Sequence, residues 1–189
     1  MRLIPFVVLS AVAMAAWACG GSPTGPIGAA TLNLRITDGP FADAQAVLVT
    51  FSEVQVHRVD EAWEVVPFVD GASRTCDLKK LENGAEDVLG VGALTPGHYT
   101  QLRLVVDHAE LFFEDDSGAS LACAPSIVID GPSEPLEIPS GEVKLNRQFE
   151  LTAEDATTIL LDFDGEKSIR QTSNGRYRMT PVIGIVSVQ

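Results

Sequence analysis

The run AVLVTFSEVQVHRV, residues 46–59, settles what kind of secondary structure this chain is built from. Val47, Val49 and Phe51 share one parity, the period-two signature of a strand with one buried face. Val54 and Val56 fall on the other parity, so a continuous strand needs a change of phase at Ser52-Glu53. A β-bulge supplies it, because one extra residue exchanges the inward and outward faces. A second long strand is expected over His98 to Glu114, where Leu102, Leu104 and Val106 alternate with Arg103 and Asp107 before Leu111, Phe112 and Phe113 come together. The turn Thr95-Pro96-Gly97 precedes it, and Asp115-Asp116-Ser117-Gly118 closes it as a hairpin signal.

The flanking sequence is of the same kind. Thr31 to Ile36 alternates polar and apolar and stops at Asp38-Gly39-Pro40, which is turn chemistry. Trp63 to Val69 is a short strand interrupted by Pro67, hence an edge. Further strands are expected at Ile127–Ile129, Leu136–Ile138, Val143–Leu151, Thr157–Phe163, Ser168–Gln171 and Tyr177–Val188, the last two joined through Ser173-Asn174-Gly175. Only Cys76 to Leu94 has a helical argument: Leu78, Leu81, Ala85, Val88 and Leu89 recur at intervals of three and four, with Asn83-Gly84 and Gly90 as breaks. These patterns predict an all-β chain, an antiparallel β-sandwich with one short helical crossover near residues 77–90.

The N-terminus gives an address. Arg2, an almost unbroken apolar run from Leu3 to Ala15, and Ala16-Trp17-Ala18 before Cys19 make a cleavable signal. A membrane-spanning helix needs about 20 apolar residues, and this run is shorter and ends in Gly20-Gly21-Ser22-Pro23. Two readings stand: a lipoprotein signal, residues 1–18, that leaves Cys19 as a diacylated N-terminus, and plain secretion after cleavage near Ala18. The lipoprotein reading accounts for more. It makes 19–29, rich in glycine and proline, a flexible tether, and 30–189 a single domain. It also leaves Cys76 and Cys123 as an even pair in a compartment where disulfides persist. Their pairing closes a loop of roughly 50 residues, worth about 4 kcal/mol in the chain-entropy account. Gly20 stands where an inner-membrane retention aspartate would follow the cysteine, so in a two-membrane cell the outer membrane is expected.

Charge narrows the partners. A formal net charge of −13 repels nucleic acid and anionic headgroups, so attachment to a membrane falls to the lipid rather than to a basic patch. The remaining partners are an envelope protein or a glycan.

Candidate chemistry is sparse. Asp162-Phe163-Asp164-Gly165 follows Ile159-Leu160-Leu161 and places Asp162 and Asp164 on one face of a strand, where two carboxylates can meet a calcium ion together with Asp38 or Asp107. The bland alternative is a strand end at which Asp164-Gly165 turns and Asp162 pairs with a cation. The spaced oxygens of an EF-hand are missing, and the helices that a parallel-sheet phosphatase needs after such a pair do not follow. His57, His98 and His108 lack metal-ligand spacing, and Ser120 lacks the second glycine of a nucleophile elbow. Trp63, Tyr99 and Tyr177 are the aromatics that could stack on a sugar, Trp63 foremost, with a core role as the alternative. No complete catalytic constellation is legible, so a binding or structural module without a cofactor is expected, with a calcium- or carbohydrate-binding adhesion module and a secreted hydrolase as alternatives.

Four segments carry a family likeness. TDGPFADAQAVLVTFSEVQVH, LTPGHYTQLRLVVD, IPSGEVKLNRQFEL and LLDFDGEKSIRQTSNGRYRMTPVIG resemble a bacterial domain-of-unknown-function family found in secreted lipoproteins, over about Thr31 to Val188. The C-terminal segment is the most specific of them. The resemblance implies a prealbumin-like or immunoglobulin-like sandwich and no established activity or catalytic residue. The Cys76–Cys123 pair looks like an addition to the family pattern.

Overall fold

The computed structural model describes residues 28–39, 42–114 and 121–189. The signal segment with Cys19, the tether before residue 28, the Asp115–Gly118 turn and Ser120 lie outside the described residues. Strands follow one another as β1 (Ala30–Gly39), β2 (Ala46–Arg58), β3 (Trp63–Val65), β4 (Arg74–Asp77), β5 (Asp87–Leu94), β6 (Gly97–Phe112), β7 (Cys123–Ala124), β8 (Ser133–Glu137), β9 (Glu142–Leu151), β10 (Ala156–Asp164), β11 (Ile169–Gln171), β12 (Tyr177–Met179) and β13 (Ile183–Val188). A 3₁₀ turn, Leu78–Leu81, leaves β4, and a single helical turn, α1 (Gly165–Ser168), joins β10 to β11.

The strands form two sheets in a sandwich-like arrangement. The smaller has the order β13-β10-β1-β5, and the larger runs β11-β12-β8-β6-β2-β4-β7, with β3 on β2 and β9 on β6. The antiparallel pair β2–β6 is the spine of the larger sheet. Its register slips three times: Thr50 faces His108 while Phe51 faces Val106, leaving Asp107 unpaired; Glu53 faces Val105, leaving Ser52 unpaired; and His57 faces Gln101 while Arg58 faces Tyr99, leaving Thr100 unpaired. Each slip coincides with a phase change in burial, from Val47, Val49 and Phe51 to Val54 and Val56 on β2, and on β6 from Tyr99 to Leu102, Leu104 and Val106 and then to Ala109 and Leu111. Three bulges, one on β2 and two on β6, thus keep both apolar rows facing the core.

That core lies between the sheets. Leu32, Leu34 and Ile36 of β1, with Ile159, Leu161 and Phe163 of β10, pack in one cluster with Phe51, Val54, Val56, Leu102 and Leu104 of the larger sheet. Phe51 and Phe163 meet edge to face with ring centroids 6.4 Å apart and so bridge the layers. Burying a large apolar side chain of this kind contributes about 1.5–3 kcal/mol.

Four expectations need correction. The sheets are mixed rather than purely antiparallel: β1 runs parallel to β10, and β12 parallel to β8. The helical crossover shrinks to the 3₁₀ turn, because Asn83 and Gly84 both take positive φ (59° and 82°), after which residues 87–94 join β1 as β5. Residues 127–129 form no strand; Ile127 and Ile129 cover Ala46, Leu48 and Phe112 as a lid on the outer side of β2–β6. The expected strand Tyr177–Val188 is two strands in different sheets, separated at Pro181, which has no N–H to give to a ladder.

Candidate functional site

The C-terminal segment LLDFDGEKSIRQTSNGRYRMTPVIG is the corner at which the chain leaves the smaller sheet, enters the larger one and returns. Hydrogen bonds account for its residue choices. Asp164 caps α1, accepting from the Lys167 backbone N–H at 2.9 Å and from Lys167 Nζ at 2.5 Å. The Ser168 hydroxyl donates to the Asp164 carbonyl at 2.6 Å and accepts from the Val182 N–H at 2.8 Å, while the Asp164 N–H donates to the Val182 carbonyl. A short buried serine thus ties the exit of β10 to the entry of β13.

Asp162, Asp164 and Asp38 come together here but do not share a face. In the parallel register Thr37 pairs with Asp162, Asp38 with Phe163 and Gly39 with Asp164. Asp38 therefore points inward beside Phe163 and is 5% exposed, while Asp162 and Asp164 lie on the opposite face. Asp38 Oδ1 accepts from the Gly165 N–H at 3.2 Å, and its Oδ2 is buried without a partner. Burial above all, with Glu82, Asp162 and Asp164 adding to it against the Gly165 hydrogen bond, lifts its pKa to about 8. The Asp162 carboxyl is also raised, by burial and then by Asp164, whereas the Lys167 hydrogen bond holds Asp164 below the usual carboxylate range. This arrangement is capping and turn chemistry. Among the described residues no group of three or more histidine, cysteine, aspartate or glutamate side chains is placed to hold a metal ion, and Asp107, the other suggested oxygen donor, sits on the β6 bulge in the larger sheet.

The aromatic candidates divide. Trp63, on the short strand β3 paired only with β2, is half-buried, with the His57 ring 5.0 Å away and the Arg103 guanidinium 4.6 Å over the indole. Arg103 is itself held by Gln55 and Glu142, so a cation already packs on the ring a sugar would use. Tyr99 is not a surface aromatic: it is fully buried, stacked on Phe149 at 5.3 Å, and its one hydroxyl proton is shared between Glu64 Oε1 and the Thr95 carbonyl. Tyr177 packs on Phe113 at 5.5 Å. His98 and His108 each face a glutamate, Glu150 at 3.1 Å and Glu110 at 3.0 Å, and His57 faces the Thr100 hydroxyl.

Cys76 and Cys123 stand opposite one another on β4 and β7, at disulfide-bonding distance with Cα atoms 4.1 Å apart. Both are buried in the main core. The hairpin expected through Ser173-Asn174-Gly175 forms as β11–β12, and its register, which the sequence did not mark, sets Arg170 opposite Arg178. The turn residues mark the reversal, but the offset of eight residues that pairs the two arginines has no motif of its own.

Residues 29–181 match a family described as a domain of unknown function (DUF4382). No curated protein and no solved structure matches the chain.

Proposed function

The chain belongs to this family of unknown function, and we propose that it is a lipid-anchored module of a bacterial cell envelope, a β-sandwich that binds or organises another envelope component without catalysis of its own. The observation that carries the reading is the Cys76–Cys123 pair, buried, in register and within bonding distance. Such pairs persist outside the reducing cytosol, and the pair leaves Cys19 as the third cysteine of the chain. Cys19 stands directly after the signal-like segment and before a glycine-rich tether, the place of a lipidated N-terminus. No helix among the described residues is long and apolar enough to cross a membrane. Two acyl chains on one cysteine suffice for stable attachment where a single chain gives only marginal binding, and Gly20 favours the outer membrane.

Metabolic labelling with a fatty acid, followed by fractionation of the envelope, tests this. The native chain should carry label and sediment with membranes, and Cys19→Ala should lose both. A labelled, membrane-bound Cys19→Ala protein would overturn the anchoring.

A further inference from the structure

The chain has 26 acidic against 13 basic side chains, yet Lys167, Arg170 and Arg178 converge on one cleft of about 430 Å³, walled further by Thr172, Thr180 and Val182. The ladder itself places two of these cations: Arg170 lies directly opposite Arg178, and directly opposed residues of an antiparallel pair project from the same face. Like charges so placed destabilise a hairpin. The fold does not cancel the charge of Arg170, which makes no ion pair or side-chain hydrogen bond among the described residues. Arg178 gives Nη2 to Glu137 at 3.1 Å in an exposed pair, which leaves most of the five N–H donors of its guanidinium unused. Lys167 adds a third positive charge, tied to Asp164.

We propose that this cleft binds a phosphorylated sugar, its phosphoryl group held between the Arg170 and Arg178 guanidinium forks. Planar guanidinium groups match phosphate oxygens two at a time, and a dianion between the two relieves the repulsion the empty hairpin carries. The cleft is larger than a lone phosphate requires and falls in the size range of small-molecule sites, about 300–1,000 Å³. Its other walls suit a polyol. The single proton of the Thr172 hydroxyl is shared between Asn174 Oδ1 and the Arg176 carbonyl, so its oxygen is left to accept from a sugar hydroxyl, and Val182, 39% exposed, offers an apolar contact for ring C–H groups. The proposal deepens the binding role proposed above, and it does not depend on the lipid.

Calorimetric titration of the full chain in an uncharged detergent with glucose 6-phosphate, inorganic phosphate and glucose tests it. Glucose 6-phosphate should bind more tightly than inorganic phosphate, and glucose should give no signal. Arg170→Gln and Arg178→Gln should each weaken glucose 6-phosphate by about tenfold, the loss of one charge-assisted contact. Because Arg170 is exposed and faces a like charge, Arg170→Gln should not lower the thermal midpoint of the ligand-free protein, which separates lost binding from lost folding. Absence of binding by glucose 6-phosphate, or undiminished affinity in the Arg170→Gln/Arg178→Gln double variant, would overturn the site. Equal affinity for the sugar phosphate and inorganic phosphate would overturn the sugar. The Cys19→Ala chain should titrate like the native one, so a silent titration with intact fatty-acid labelling rejects the cleft alone, and lost labelling with an intact titration rejects the anchor alone.

Discussion

Asp38 is the residue at which this sequence accepts a local cost. Its Oδ2 is buried without a partner, and its pKa stands at about 8 against an ordinary value of 3.8. A carboxyl whose folded pKa is raised binds a proton in the native state that the unfolded chain has already lost, so its contribution to stability is full below about pH 4 and is lost as pH rises towards about pH 8. Asp38→Asn keeps an oxygen for the Gly165 N–H and removes the titration. The variant should therefore be more stable than the native protein near pH 8, by about 1–3 kcal/mol, the scale of an unpaired buried polar group, and should show no such gain near pH 4. Thermal midpoints measured across that range check it, and parallel curves for the two proteins would show that Asp38 does not titrate as described. Phe163, its ladder partner, is a simpler case. Phe163→Ala removes the ring that meets Phe51 between the sheets and should cost about 3–5 kcal/mol in urea unfolding, whereas a loss below about 1 kcal/mol would mean that the two layers do not depend on that contact.

At the scale of elements, the paired bulges of β2 and β6 make a sharper demand. Ser52 is the residue of β2 left out of the ladder; without it Phe51, Val54 and Val56 would alternate regularly and still meet Val106, Leu104 and Leu102. Deleting Ser52 should therefore be tolerated, at a cost of about 1–2 kcal/mol from altered twist, while deleting Gln55 turns Val56 outward and His57 inward and should abolish the soluble fold. Expression and circular dichroism of the two deletions distinguish them, and equal damage from both would deny the bulge its role. This bulge was legible in residues 46–59 because parity is a local property of sequence. Partnership is not: the alternation of Thr31 to Ile36 shows which face is buried but nothing about β10, whose parallel pairing joins residues more than a hundred positions apart. The helical spacing of residues 78–89 misled for a related reason, since Leu78 and Leu81 are buried by a 3₁₀ turn and Leu89 by a strand, and both satisfy the same count. Of the corner, Asp162 and Asp164 were visible as a pair, but the division of faces that sends Asp38 into the core is a consequence of the parallel register. The β11–β12 hairpin was legible in Ser173-Asn174-Gly175, but the register that sets Arg170 opposite Arg178 was not.

For the whole molecule, the Cys76–Cys123 pair has leverage beyond its place at the margin of the larger sheet. Strand β7 is two residues long and pairs only with β4, so few backbone hydrogen bonds hold it. The 47-residue separation encloses β5 of the smaller sheet and β6, the spine of the larger. A link at Cys76 therefore restricts, in the unfolded chain, the segments that supply both layers, and the chain-entropy account assigns such a loop about 4 kcal/mol. The link also fixes Cys123 where its N–H donates to Asp87 Oδ2 at 2.9 Å, and Asp87 begins β5 and faces the buried Arg74 at 3.8 Å. Urea unfolding of the native chain with and without a reductant isolates the covalent term, because no side chain is changed. Reduction should lower stability by about 2–5 kcal/mol, and the Cys76→Ala/Cys123→Ala variant should fall at least as far, since it also leaves room in a closed core. In unreduced, denatured protein neither cysteine should take up an alkylating agent by mass spectrometry. Alkylation of Cys76 under those conditions, or a stability indifferent to reductant, would mean that hydrogen bonds and packing alone hold β7 against β4, and it would remove the observation on which the envelope assignment chiefly rests.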